Sequence, residues 1–509
     1  MHSHQYYVQL VFIAIIFAYL SGCMVGPNFH KPPSPQANSY NETPLPSKTV
    51  RVSSIKNAGK SQAFLINMDI QENWWYLFHS RAINELIQTG LANNPSLAAA
   101  QASLKQAQEI LRAQIGNTLF PAFDALADGS RQRTAAASFG GNVPSSIFNL
   151  YNVSASVSYT LDIFGGARRE IESLQAQVDY QQFQVLATYL TLTANIVTTA
   201  ITIASLEEQI QATHALIQAE EKQLRIMRNQ FQVGGVADTN VLSQQTLVDQ
   251  SRATLPPLEQ SLSQSKHALS VLIGAYTNAP LPRIKLSSLT LPKQIPVSLP
   301  SKLVRQRPDV RAAEALLHSA SAQIGVATAN LFPQFTLAGG IGWVAEVPSS
   351  LFQSNNKVWD FGGKVTQPLF HGGALLAQRR AAIDAYDQAN EQYRLVVLQA
   401  FQNVADSLRA LETGAKAFKA NKAAEISAYQ TLKITQQQYF VGGVSYINLL
   451  SAQQQYQQTR LPSIQAQAAR YTNTAALFQA LGGGWWNRKS NKCHIDSINP
   501  TQETTKGSS

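Results

Sequence analysis

Val233-Gly234-Gly235-Val236 returns as Val441-Gly442-Gly443-Val444, and the residues downstream return with it: Asn240, Leu242, Ser243 and Gln245 become Asn448, Leu450, Ser451 and Gln453. The copies lie 208 residues apart (234 to 442), a spacing repeated by Gly274 and Gly482. Upstream, Leu119-Phe120-Pro121 returns as Leu331-Phe332-Pro333, 212 residues on (120 to 332). One unit therefore occurs twice. Each copy opens with an Ala/Gln-rich helix, at Asn94-Pro95 or Arg307-Pro308-Asp309. Two strand-like segments and a Gly-Gly come next (Gly165-Gly166, Gly372-Gly373), then a very long helix, the Val-Gly-Gly-Val break and a closing helix. The first repeat takes 73–274, a Pro-rich linker 275–306, the second repeat 307–482, and a polar tail 483–509. Within the first, 73–90 reads as a short amphipathic helix.

The long helices set the geometry. Residues 167–230 contain neither Gly nor Pro, and 374–438 contain only Gly414. At 1.5 Å per residue each is roughly 95–100 Å long. The opening helix (95–118) and the closing helix (237–273) together nearly match the long one, so two short helices stacked end to end can pack along it. Gly-Gly supplies the positive φ that a tight reversal needs, and Asp238 and Ser445 are the expected N-caps of the return helices.

Between Tyr151 and Ile163 every odd position is apolar and every even one polar. Period-two alternation over so long a run exceeds the usual half-buried strand and suits a tilted membrane strand with lipid on one face and water on the other. Tyr151 and Tyr159 are candidate girdle aromatics. Phe335, Leu337, Ile341 and Trp343 share a face in the second copy, as do Trp359, Phe361, Val365 and Leu369; 123–133, with Asp124, Asp128 and Arg131, has the weakest pattern. No segment after the leader offers 18 consecutive apolar residues, so any spanning element is β. Four strands cannot close a pore, and an open edge in lipid leaves backbone groups unpaired. The chain must oligomerise: two copies give eight strands, whose interior side chains fill, and three give a lumen.

The chain has 509 residues, only 14% of them charged, and a formal charge of +10. Its Lys and Arg are scattered without interleaved aromatics, which argues against nucleic acid. Arg168-Arg169 and Arg379-Arg380, at the starts of the long helices, read as solvated charge, with the lower headgroups as the alternative. The nine His and two Cys form no metal-ligand spacing, no catalytic constellation is visible, and neither enzymatic activity nor a cofactor is expected. Residues 1–22 read as a signal peptide whose apolar run, Val8 to Leu20, ends in Leu20-Ser21-Gly22-Cys23, a pattern that resembles a bacterial lipobox. Cys23 is then the lipid-attachment residue, and 23–72, rich in Pro, Ser and Asn, an extended lipid-anchored lead-in.

Several stretches resemble one family. Cys23-Met24-Val25-Gly26-Pro27-Asn28-Phe29 with Pro32 is similar to the mature start of outer-membrane efflux lipoproteins, and Trp74-Trp75-Tyr76-Leu77-Phe78 to their first periplasmic helix. The most specific match runs from Leu299-Pro300-Ser301 through Arg307-Pro308-Asp309 to Glu314, and Leu481-Gly482-Gly483-Gly484-Trp485 closes the pattern. Over roughly 20–486 the chain resembles a TolC-like outer-membrane factor of the lipoprotein branch serving RND-type pumps. The resemblance implies an α+β membrane protein: a homotrimer with four strands per chain in a twelve-stranded barrel, a long periplasmic helical coiled-coil tunnel and a mixed α/β equatorial belt. It implies an outer-membrane duct with a periplasmic adaptor at the tunnel tip and an inner-membrane RND-type pump beyond it.

The expected adaptor contact is Val233, Gly234, Gly235 and Val236 with Val441, Gly442, Gly443 and Val444. Family members often carry acidic residues after the second-copy glycines; here Asn448 and Ser451 stand there. A tip closed by hydrogen bonds and apolar contacts is expected, with Tyr439, Tyr446, Asn448 and Ser451 as gate candidates. Two other readings stay open: an outer-membrane channel for type I protein secretion or metal-ion export, and a periplasmic coiled-coil structural adaptor without membrane strands.

Overall fold

A computed structural model describes residues 24–35, 37, 39–135 and 144–487. Cys23, the leader and most of the polar tail lie outside the described residues. Along the chain come β1 (Ala63–Ile66), a 3₁₀ turn (Trp74–Phe78), α1 (Arg81–Asn93), α2 (Pro95–Leu119), β2 (Ala122–Thr134), β3 (Ser146–Leu161) and α3 (Gly166–Gln232). After them are α4 (Asp238–Ala253), α5 (Leu255–Leu272), β4 (Gln294–Val297), α6 (Pro300–Gln306), α7 (Pro308–Ala329), β5 (Gln334–Ala345), β6 (Lys357–Thr366), α8 (Ala374–Phe440) and α9 (Tyr446–Ala480). Both long helices run unbroken for 67 residues. The chain forms two compact units, each drawing segments from both repeats.

One unit holds 102–183, 312–395 and the amino-terminal segment to Pro32. Its sheet is antiparallel throughout, in the order β2-β3-β5-β6. The register keeps odd residues opposite odd ones across all four strands: Phe123, Val157, Gly339 and Phe361 form one row, and Ala125, Ala155, Ile341 and Trp359 the next. Side chains directly opposite share a face. From Tyr151 to Leu161 the alternation seen in β3 therefore becomes one largely apolar face, with Tyr151, Tyr159, Leu337, Trp343 and Val365 on it; Lys357 borders it on β6, and Arg131, Arg133 and Asn149 continue it beyond Tyr151. The other face carries Ser154, Ser156, Ser158, Thr160, Thr336, Asp124, Asp128, Asp360 and Lys364. Most of the sheet is uncovered on both faces, Trp359 and Phe361 being 75% and 78% exposed. Two glycines lie under rings: a Cβ on Gly129 would meet the Tyr151 ring at 3.1 Å, and one on Gly339 the Phe361 ring at 3.3 Å.

In this unit Asp162 caps α3, accepting from the Ala167 and Arg168 amides at 3.0 Å and from the Arg168 side chain. Arg169 corrects the reading of a solvated pair. It is 1% exposed, because backbone carbonyls distant in sequence converge on it. Arg379 and Arg380 remain exposed.

The second unit holds Pro33–Gln101, Gln184–Arg311 and the chain from Val396. β1 and β4 pair in parallel. Around them Trp74, Phe78, Ile83, Ile87, Ile196, Ile201, Leu289, Ile295, Tyr471 and Phe478 form a buried core, with Trp74 stacked on Phe478 at 5.3 Å. This packing accounts for the most apolar part of α3, the one described helix whose length and composition would suffice to cross a membrane; much of it is covered by protein. The single helix expected over 73–90 is two elements. His79 turns the chain with φ 52°, and Ser80 caps α1 through the Ile83 amide.

The repeats share a joint. Asn94 donates to the Leu272 carbonyl at 2.9 Å, and Arg307 to the Ala480 carbonyl at 2.9 Å. Both acceptors are the last residues of their return helices, 208 positions apart (272 to 480). Asn94 also caps α2 through the Ser96 and Leu97 amides, and Arg307 forks onto Asp309, with donor–acceptor distances of 2.9 and 2.5 Å. The Arg-Pro-Asp motif is thus a helix start welded to a helix end. The return helices differ: the first breaks at Thr254, before Pro256 and Pro257, whereas the second continues through Pro462. A proline is tolerated in the first turn of α5, where its missing N–H has no intrahelical partner.

Candidate functional site at the helical reversals

Both reversals lie in the second unit and have the same backbone geometry. Gly235 N–H reaches the Gln230 carbonyl at 2.8 Å, and Gly234 N–H the Phe231 carbonyl at 2.9 Å; Gly443 to Gln438 (2.8 Å) and Gly442 to Tyr439 (3.1 Å) repeat the pair. These are Schellman caps with the left-handed residue at Gly234 (φ 75°) and Gly442 (φ 76°). Of the four valines, Val233 and Val441 are 82% and 83% exposed, while Val236 and Val444 are half-buried. Phe440, Ile447 and Leu242 are exposed beside them. The expected N-caps are corrected here. Ala237 occupies the cap of α4 without a side-chain bond, and Asp238 is the first helical residue, where its charge suits the helix dipole. Ser445 does hold the cap of α9, but its side chain accepts no capping bond.

Beneath the turns Leu224, Met227, Val241, Val248 and Tyr446 form a small core, with Val236, Tyr439 and Leu450 against it. Tyr446 belongs to the second hairpin; the other four buried members belong to the first. Its hydroxyl donates to Gln244 Oε1 at 2.9 Å, and Tyr439 donates to Gln230 Oε1 at 3.4 Å. The two rings meet edge to face, centroids 6.2 Å apart. Burial raises the pKa of both phenols above the usual tyrosine value, most at Tyr446, and neighbouring Tyr439 adds to it there. Of the gate candidates, Tyr446 is buried, Tyr439 half-buried, and Asn448 and Ser451 exposed. The tyrosines come together between the hairpins; Asn448 and Ser451 stay on the surface of α9.

Sequence reasoning passed over Glu220. It lies two turns along α3 from Met227, is buried, and neither carboxyl oxygen has a hydrogen-bond partner. Its backbone carbonyl accepts from Gln244 Nε2 at 3.3 Å. Burial pushes its pKa up to about 7. Glu220-Glu221-Lys222 reads as a solvated helical run, and only the fold turns the first of them inward.

A family model described as outer membrane efflux protein matches residues 86–275 and 299–483. The chain belongs to this family. The outer membrane efflux protein matches cover both repeats and both reversals. ArpC of Pseudomonas putida, named as an antibiotic efflux pump outer membrane protein, is 28% identical over 502 residues, covering 98% of this chain and 99% of ArpC. A Salmonella typhimurium relative named "Probable outer membrane lipoprotein SilC" is 27% identical, covering 94% and 99%. The open state of the Neisseria gonorrhoeae MtrE outer membrane channel is 27% identical, with a TM-score of 0.76 over 91% of this chain and 98% of that one. The fold is that of the TolC-like channels, and the protein is an outer-membrane component of efflux.

Proposed function

We propose that the chain is the passive exit duct of a tripartite efflux pump, built as a homotrimer and carrying small molecules outward with energy supplied elsewhere. The observation that carries this reading is the four-stranded sheet. One face is apolar and one polar, and the outer edges of β2 and β6 pair with no strand among the described residues. Such edges in lipid cost several kcal/mol per unpaired group, so closure against further copies is required. Three copies make a twelve-stranded barrel with the Ser/Thr face on its lumen. In this reading the chain performs no catalysis.

The reversals take a periplasmic adaptor, which links the duct to an inner-membrane RND-type pump. The repeated caps present the exposed Val233 and Val441 in the same local setting, which suits a partner that contacts both. Tyr439, Tyr446, Asn448 and Ser451 form the gate region: the tyrosines tie the hairpins, and Asn448 and Ser451 line the opening without charge. Cys23 carries the lipid, in keeping with the name of the SilC relative. Purification of the full chain from crosslinked membranes tests the assembly. Trimers bringing an adaptor with them, lost on Val233→Asp with Val441→Asp, are expected; a monomer, or adaptor capture indifferent to those changes, contradicts it.

A further inference from the structure

The segment directly after Cys23 is not a loose tether. Val25 N–H donates to the Phe164 carbonyl at 3.1 Å, within the four-residue link between the end of β3 and the start of α3. Arg169, in the first turn of α3, then takes hold of the segment. Its Nε donates to the Val25 carbonyl at 3.1 Å, and its Nη2 to the Gly26 carbonyl at 3.3 Å and to Asn28 Oδ1 at 2.8 Å. Its Nη1 pairs with Glu172 at 2.6 Å. Glu172 in turn bonds His318 Nε2 at 2.8 Å, and Phe29 stacks on the His318 ring at 4.4 Å. Lys31 pairs with Glu314 farther on. Only a planar fork of donors serves several acceptors from one buried head group.

Three glycines clear the space. A Cβ on Gly325, near the carboxyl-terminal end of α7, would lie 2.7 Å from the Arg169 Cγ. One on Gly26 (φ 91°) would lie 2.4 Å from the Gly325 backbone, and one on Gly165 (φ 77°) 2.8 Å from the Met24 Cα. Backbone meets backbone there, and burying a guanidinium costs stability unless its donors are met. A mere lead-in requires neither. The surroundings suit a membrane boundary: Phe164 stacks on Phe332 at 4.7 Å at the ends of β3 and β5, and Phe120, Leu369 and Phe370 are exposed nearby in sequence. Aromatics collect at that level in membrane barrels.

We propose that Arg169 is the positioning residue of a latch, Met24–Lys31, that fixes where the lipid on Cys23 enters the bilayer: beside the foot of the chain's own membrane strands. The inference rests on lipidation of Cys23. Fixing the segment places the anchor at one depth and one side of the sheet, where an unlatched tether would sweep the surrounding leaflet.

The test uses the full chain in outer-membrane vesicles, with Cys493→Ser and Met24→Cys carrying a nitroxide, and a second preparation labelled at Thr366→Cys on β6. The expected result is an immobilised spectrum at position 24. Arg169→Ala raises the mobile fraction about tenfold, since several charge-assisted bonds are lost together. Arg169→Lys restores little of the immobilisation, and the label on β6 is unaffected. Should Arg169→Ala fail to accumulate, Asn28→Ala with Gly26→Ala probes the same latch from the other side. A position-24 label already mobile in the native chain, or unmoved by all these changes, overturns the latch. A label on β6 loosening in step overturns it too, since Arg169 then merely holds the fold. Lipidation is read separately: an acylated Cys23 leaves one reactive thiol per labelled chain, and two sink the lipid reading while the mobility still judges the latch.

Discussion

The Tyr446 hydroxyl donates to Gln244 Oε1 at 2.9 Å, joining the second helical hairpin to the first between residues 202 positions apart. Gln244 is itself fixed, since its Nε2 donates to the Glu220 carbonyl on α3. Both partners are uncharged and buried, so the tie between the hairpins does not depend on ion pairing. Tyr446→Phe keeps the ring and strands the Gln244 oxygen, and costs about 1 kcal/mol. Tyr446→Ala also empties the core beside Met227, and costs about 3–5 kcal/mol. Thermal unfolding of the detergent-purified chain measures both; equal effects would show that the ring adds nothing beyond its hydroxyl.

Glu220 gives the helices a pH dependence. Its native pKa lies near 7, above the unfolded value of 4.5. Between those values the folded chain keeps a proton that the unfolded chain has released. Its contribution is therefore fully present below about pH 4.5 and lost as pH rises through 7. Hydrogen-exchange protection across α3 and α4, relative to the intrinsic rate at each pH, is expected to fall over that window, and Glu220→Gln removes the fall. A native chain with the same exchange protection at pH 5 and 8 contradicts the assignment.

On the sheet the two faces predict opposite tolerances. Phe361→Arg puts a charge on the lipid face, at about 2–4 kcal/mol near the bilayer midplane, and sharply lowers the yield of membrane-inserted protein. Gly362→Ser, one residue on, faces the polar side where a Cβ meets nothing within 4 Å. It leaves the yield unchanged. Heat-modifiability of outer-membrane extracts reads both, and the reverse ranking would invert the assigned faces.

At the reversals Gly234 and Gly442 are left-handed, and a Cβ on either meets nothing within 4 Å. Their alanine variants therefore isolate the backbone penalty, about 1–2 kcal/mol each. Urea unfolding is expected to give similar losses at the two sites. A loss confined to one would mean that its turn is braced by contacts the other lacks.

The long helices, the hairpin strands and the two Gly-Gly turns were legible because each is written in local sequence: absence of helix breakers, period-two alternation, a residue that accepts positive φ. The odd-numbered apolar face was legible most clearly in β3 and also in β5 and β6; that β2, with Asp124 and Asp128, joins it is known only from pairing register. Arg169 and Glu220 were misjudged or missed for one reason. Charge on a helix looks solvated until residues distant in sequence close over it, and the acceptors of Arg169 lie on a segment more than 140 residues upstream. The first N-cap failed by one position because the Schellman turn extends to Ala237 before α4 begins, whereas Ser445 holds its position without a side-chain bond. Thr254 breaks the first return helix where the second runs on, although both carry proline, and the helical pattern of the surrounding residues did not mark that difference.

A passive duct closed by a neutral tie at its helical reversals should conduct without any energy source, and more freely once the tie is cut. Single-channel recording of the purified full chain in a planar bilayer measures both properties at once. Small ohmic steps are predicted from the native protein and several-fold larger steps from Tyr446→Ala. Bilayers that stay silent with both proteins, or steps identical in size, would contradict a duct gated in this way.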